Sequence, residues 1–276
     1  MKVDIYSLDG KKIKSVELPK QFDEPIRDDL IKRAVLAIRS AKRTRYGAKK
    51  EAGKRASATI SKRRRDYKTS YGKGIARGPR KIMTKRGTQF YWVGAFAPNT
   101  VGGRRAHPPK PEKVWEQRIN KKERKKAIRS AMNATTNLEI VKKRGHNIDY
   151  LPLIIESKFE NIKKTNEVKK TLIALGLKKE LERTQKKSVR AGRGKSRGRK
   201  YKMKKGPLIV ISKECPLRMA ARNVLGVELC LARYLNTELL APGAVPGRLT
   251  IYTEDSIRVI DEKKLFLDNP YVENMK

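Results

Sequence analysis

The alternation of apolar and polar positions at the amino terminus predicts a strand pair, with Val3 and Ile5 on one side of the turn Asp9-Gly10 and Ile13, Val16 and Leu18 on the other. Asp23 is placed to cap a helix with Pro25 in its first turn, and Ile26, Leu30, Ile31, Ala34, Val35 and Ile38 then recur along one face. Past Ala41 the periodicity stops. It resumes after Pro108-Pro109 and Pro111, where a second helix is predicted from near Glu112 with a narrow stripe of Val114, Trp115, Ile119, Ile128, Ala131 and Met132. Leu151 to Ile155 reads as a buried strand. Lys169 to Leu177 reads as a helix ending near Gly176, and Lys178 to Lys187 as a possible further one. Leu208 to Ile211 is a short apolar strand. Leu217 to Asn223 (helix), Val227 to Cys230 and Leu249 to Tyr252 (strands) and Asp255 to Glu262 (helix) complete the series. Strands alternating with helices predict an α/β fold, a mostly parallel sheet with helices on both faces.

The stretch without periodicity is the unusual part. Thr44 to Lys110 holds 19 Lys or Arg against two acids, Glu51 and Asp66, with nine Gly, four Pro and no Leu. Such a segment buries too little apolar surface to offset the entropy of ordering its backbone. It nevertheless carries Tyr46, Tyr67, Tyr71, Phe90, Tyr91, Trp92 and Phe96. Cations for phosphates, rings for bases and glycines for close backbone approach together suit folded RNA. Two helices flank the stretch, so the simplest picture is a long basic extended internal loop, residues 44–105, inserted into a body of residues 1–43 and 106–276. Within it Phe90-Tyr91-Trp92, Val93 and Phe96 fit two readings equally, a small satellite core or a set of stacking platforms.

Composition agrees. The 276 residues carry a formal charge of +41, which favours a polyanionic partner over a free compact monomer. The charge is spread along the chain and no apolar run reaches membrane-spanning length, so a membrane is not the expected partner. A second basic tract, Lys186 to Lys205, has eleven Lys or Arg and no acid. Cys215 and Cys230 are too few for a disulfide framework and point to a reducing compartment.

Motifs for chemistry fail on inspection. Gly194-Lys195-Ser196 imitates the end of a phosphate-binding loop, but Val189 stands where the motif needs its first glycine. Cys215, Cys230, His107 and His146 match no zinc spacing, and both histidines read as residues of basic loops. No paired carboxylates or nucleophile–base pair stand out, so no enzyme, cofactor or metal is expected.

The run Val101-Gly102-Gly103-Arg104-Arg105-Ala106-His107-Pro108-Pro109-Lys110, leading into Lys113-Val114-Trp115-Glu116 and Ile119 to Arg124, resembles the large-subunit ribosomal protein family L-four in its archaeal and eukaryotic branch. Tyr71-Gly72-Lys73-Gly74, Arg77-Gly78-Pro79-Arg80, Ala127 to Ala131, Ala191 to Lys195, Asn223-Val224 with Gly226-Val227, and Pro246 to Thr250 carry the resemblance along nearly the whole chain. The lack of a long carboxy-terminal extension resembles archaeal members. The resemblance implies an α/β body bound to large-subunit rRNA and a loop that helps line the nascent-peptide exit tunnel, opposite the loop of protein L-twenty-two. It also implies a cytoplasmic ribosomal location and no homo-oligomer.

The expected rRNA contacts are Arg43, Arg45, Arg55, Arg63, Arg64, Arg65, Arg104, Arg105 and His107 in or beside the loop, and Arg193, Lys195, Arg197, Arg199 and Lys200 from the second tract. The expected tunnel-facing tip comprises Tyr71, Gly72, Lys73, Gly74, Arg77, Arg80, Lys81 and Arg86. Two other classes compete: a free-standing nucleic-acid chaperone, which would not need an internal glycine-punctuated excursion, and an RNA-modifying enzyme, which would need a cofactor loop or acid–base pair.

Overall fold

The computed structural model describes residues 1–66, 68–87 and 89–268, so Tyr67 of the aromatic series lies outside the described residues. In chain order the elements are β1 (Lys2–Tyr6), β2 (Lys12–Glu17), α1 (Asp28–Ala41), β3 (Arg80–Arg86), β4 (Gln89–Gly94), α2 (Lys121–Thr136), α3 (Leu138–Lys143), β5 (Leu153–Ile155), α4 (Thr165–Ala174), α5 (Lys178–Gln185), β6 (Lys187–Val189), β7 (Tyr201–Met203), β8 (Leu208–Ile211), α6 (Leu217–Arg222), β9 (Glu228–Leu231), α7 (Thr237–Leu240), β10 (Thr250–Thr253) and α8 (Glu254–Glu262). Two compact units emerge, one of residues 1–42 with 116–276 and one of residues 43–115.

The first unit is built on a six-stranded sheet in the order β2-β1-β5-β10-β8-β9. The β1–β2 hairpin is antiparallel, and every other pairing is parallel. Strand alternation sends neighbouring residues to opposite faces. Leu153, Ile155, Ile209, Ile211 and Ile251 join Val168 and Leu172 of α4 and Leu217 of α6 in one core. Val3, Ile5, Ile154, Leu208, Val210 and Tyr252 join Ile31 of α1, Ile128 and Met132 of α2 and Ile257 of α8 in the other. Helices therefore cover both faces. That arrangement explains why β5 and β8 read as unbroken apolar runs, since each side chain is fully buried and contributes about 1.5–3 kcal/mol.

Two helix starts differ from expectation. α1 begins at Asp28, not after Asp23, because the intervening polar groups are bonded to α2: Glu24 accepts from Arg129 Nε at 2.9 Å, and the Arg27 amide donates to Ser130 Oγ at 2.7 Å. Asp28 and Asp29 then fill the first turn, where the helix dipole favours acids. α2 begins at Lys121 and not near Glu112. Asn120 and Glu123 form a reciprocal capping box that sets its first turn, so Trp115 and Ile119 precede the helix.

The carboxyl edge of the sheet, where open α/β sheets commonly take ligands, is occupied by the protein itself. Buried Glu160 accepts from the Ser212 amide (2.8 Å), Ser212 Oγ (2.7 Å) and Thr253 Oγ1 (2.6 Å).

Candidate nucleic-acid interface

In the unit of residues 43–115, Ala95 alone among the described apolar residues is buried. The antiparallel β3–β4 hairpin is its regular element, with a register shift between Ile82 and Thr84. Part of what composition alone marked as irregular is therefore a hairpin. The strand signal lies in Gln89-Phe90-Tyr91-Trp92-Val93, where burial alternates: Phe90 and Trp92 are half-buried, whereas Tyr91 and Val93 are exposed. Phe90 and Trp92 stack at 5.8 Å, and the Lys73 ammonium sits 5.2 Å from the Trp92 ring. One face of β4 is thus a small ring cluster covered by a cation. The other presents Tyr91, 62% exposed, as an open platform.

The residues expected at the tip divide between a turn and a strand. Tyr71 to Gly74 form the turn, with the Arg77 guanidinium 4.7 Å from the Tyr71 ring. Arg80, Lys81 and Arg86 lie on β3; Lys81 and Arg86 are exposed, while half-buried Arg80 donates from Nη2 to the Ala76 carbonyl at 3.2 Å.

Arg45, Arg55, Arg63, Arg64 and Arg65 are exposed. Arg63 to Arg65 make no ion pair with any described residue. Arg104 is half-buried, its guanidinium 5.6 Å from the Phe96 ring. Its backbone passes so close to Gly53 that a Cβ there would lie 2.5 Å from Arg104 Cα, and Gly53 also has φ +74°. Both facts demand glycine.

A second cluster gathers the two ends of this unit. The Arg43 guanidinium lies 3.6 Å from the Trp115 ring centre, the Lys113 ammonium 4.3 Å from it, and the Tyr46 ring stacks on Trp115 at 5.8 Å and 14°. Arg105, His107, Pro108, Pro109 and Glu112 complete an open groove of about 650 Å³ beside them. The sequence pointed to Arg43, Arg105 and His107 separately, but the pattern placed Trp115 on a helix and so hid their meeting.

In the first unit, Arg193, Lys195, Arg197, Arg199 and Lys200 are all exposed in the connection between β6 and β7. Gly192–Gly194 form a 3-10 turn there, so Gly194-Lys195-Ser196 does not follow a buried strand as a phosphate-binding loop would. The foot of this hairpin is fixed by a buried network. Arg183 donates to Glu180 from Nε (2.8 Å) and Nη2 (2.5 Å) and to the Lys205 carbonyl (2.8 Å). His146 does lie in the loop after α3, but it is not exposed with its basic neighbours. It is 4% exposed, with Nδ1 2.7 Å from Glu180 Oε1. Burial favours the neutral ring and lowers its pKa, outweighing the carboxylate beside it. Burial alone would raise Glu180, but hydrogen bonds from Arg183 and His146 hold it down to about 2.

Arg248, within the Pro246 to Thr250 motif, is a further polar group that the sequence left without a role. It is fully buried, donating from Nε to the Gly206 carbonyl at 2.9 Å and from Nη1 to Glu228 Oε2 at 2.8 Å. It joins the start of β8 to β9 and is closed to solvent. Among the described residues no group of three or more His, Cys, Asp or Glu is placed to hold a metal. Burial raises both thiols, Cys230 to about 11, so neither is an activated nucleophile.

The family described as ribosomal protein L4/L1 matches residues 16–263. The chain is 50% identical to the large ribosomal subunit protein uL4 of Nanoarchaeum equitans over 268 residues, 96% of this chain and 100% of that protein. It is 40% identical to the protein of the same name in Archaeoglobus fulgidus (95% and 99% covered) and 42% identical to that of Halobacterium salinarum (95% and 100% covered). A family match over most of the chain, with archaeal relatives aligned nearly end to end, leads to one conclusion: this chain belongs to the ribosomal protein L4/L1 family.

Proposed function

We propose that this protein is a structural constituent of the large ribosomal subunit in the cytoplasm, and that it acts by binding rRNA and shaping it during assembly, without catalysis. The observation that carries this reading is the unit of residues 43–115, which among its described residues presents exposed arginines and rings yet buries a single apolar side chain, Ala95. A segment with so little core gains its stability from a partner, and phosphate is the partner its charge fits. Residues 44–105 are the part that penetrates rRNA, and Tyr71 to Arg86 the part that faces the exit tunnel, the nascent peptide and protein L-twenty-two. Arg193, Lys195, Arg197, Arg199 and Lys200 make a second rRNA contact from the first unit. The reading is supported by the names of the archaeal relatives.

Deletion of residues 47–102 tests it. Large subunits assembled with the shortened chain should be defective, and the intact protein should remain on the large subunit through a high-salt wash. A shortened protein that keeps its RNA affinity and supports normal particles would favour a free-standing chaperone instead.

A further inference from the structure

Resting on the RNA-binding reading, we infer that the groove beside Trp115 is a pocket for one extruded guanine nucleotide of the bound RNA, recognised at its base edge by Glu112.

Glu112 is the first reason. The neighbouring stretch is overwhelmingly cationic, and Arg105 and Lys113 line the same groove, yet Glu112 makes no ion pair with any described residue. A carboxylate offers two acceptor oxygens and, when ionised, no donor. Among the RNA bases guanine alone presents two adjacent donors on its pairing edge, N1–H and the 2-amino group, and so matches a carboxylate with two parallel bonds. Adenine offers its amino group beside a repelled ring nitrogen. Uracil offers a single N–H between two carbonyls.

The walls are the second reason. Tyr46 is 49% exposed, and with Trp115, His107 and the two prolines it gives the groove flat faces of the kind that hold an unstacked base. Arg105 and Lys113 are at hand for the phosphates on either side.

The test uses the full chain carrying Trp92→Phe, which leaves Trp115 as the one tryptophan of the two in the sequence. It is titrated with four RNA hairpins of one stem, each with a single bulged G, A, C or U, at one salt concentration. The bulged-G hairpin should bind about tenfold or more tighter than the bulged-U hairpin and change Trp115 emission on binding, as a two-bond edge contact requires. Glu112→Gln, at an exposed position, should remove that preference, so that the bulged-G and bulged-U hairpins bind within about twofold of each other. Equal binding of all four hairpins, or a G preference that survives Glu112→Gln, would overturn the pocket and leave the ribosomal reading standing. Failure to bind any of the four would overturn both.

Discussion

The guanidinium of Arg43 lies 3.6 Å from the ring centre of Trp115, so the first and last residues of the basic unit touch. Tyr46 stacks on the same indole, and the Ala48 amide donates to the Pro109 carbonyl at 3.0 Å. A Cβ on Gly47 would fall 2.2 Å from Pro111 Cδ, so the two chain segments pass each other closely here. The contacts bring the two ends of residues 43–115 together, so the entropy of closing that segment is met by these groups.

Trp115→Ala should therefore loosen this closure selectively. A cation–π contact and a ring pair together contribute about 1–3 kcal/mol. The Ala48 amide should lose roughly tenfold to a hundredfold in hydrogen-exchange protection, while amides of Ile154 and Ile209 in the sheet keep theirs. Unchanged exchange at Ala48 would show that the closure does not depend on the indole.

Acid should release the foot of the β6–β7 hairpin in two stages. His146 has a lowered pKa in the folded protein, so the unfolded chain binds a proton first as pH falls below the ordinary histidine value of 6.5. Stability declines from that point. Glu180 is also lowered, from 4.5 to about 2, so its contribution is present above 4.5 and is lost as pH falls toward 2. That shift corresponds to stabilisation on the order of 3 kcal/mol at neutral pH. Arg183 and Arg144 both bear on His146, and each disfavours its protonation. Urea denaturation between pH 7 and pH 3 should show the decline, and Glu180→Gln should flatten its lower part. A Glu180→Gln protein with the same pH profile as the parent would refute the assignment.

The features legible in the sequence were those with local causes. Leu208 to Ile211 and Leu151 to Ile155 announced buried strands because both of their faces are covered, and Asp255 to Glu262 announced α8 by its apolar spacing. The helix starts were misread where distant partners decide: Glu24 is held by Arg129, which no local rule connects to it. The burial of His146 has the same kind of cause, since its carboxylate partner Glu180 lies on α5, 34 residues further along the chain. The groove at Trp115 depends on two segments meeting from opposite ends of the basic unit. One signal did point there. Asn120-Lys121-Lys122-Glu123 has the spacing of a capping box, which would have started α2 at Lys121 and left Trp115 outside it.

The cations divide into those already paired within the protein and those left for a polyanion, and salt dependence should separate them. Arg27 is bound to Asp29 at 2.6 Å and Arg33 to Glu123 at 2.8 Å. Among the described residues Arg63, Arg64 and Arg65 make no such pair, nor do Arg193, Arg197 and Arg199. Each phosphate neutralised releases condensed counterions, so the logarithm of the RNA affinity falls with the logarithm of salt by about 0.7 to 0.9 per contact. Replacing Arg63, Arg64 and Arg65 with Ala should lower the magnitude of that slope by roughly 2 to 3, and the Arg193, Arg197 and Arg199 triple should do the same. Arg33→Ala should leave the slope unchanged, because its charge is already engaged by Glu123. Filter binding to a large-subunit rRNA fragment from 0.1 to 0.5 M KCl measures all three. A slope that falls equally for Arg33→Ala would mean that RNA reads the net charge of the protein and not these two exposed arginine sets.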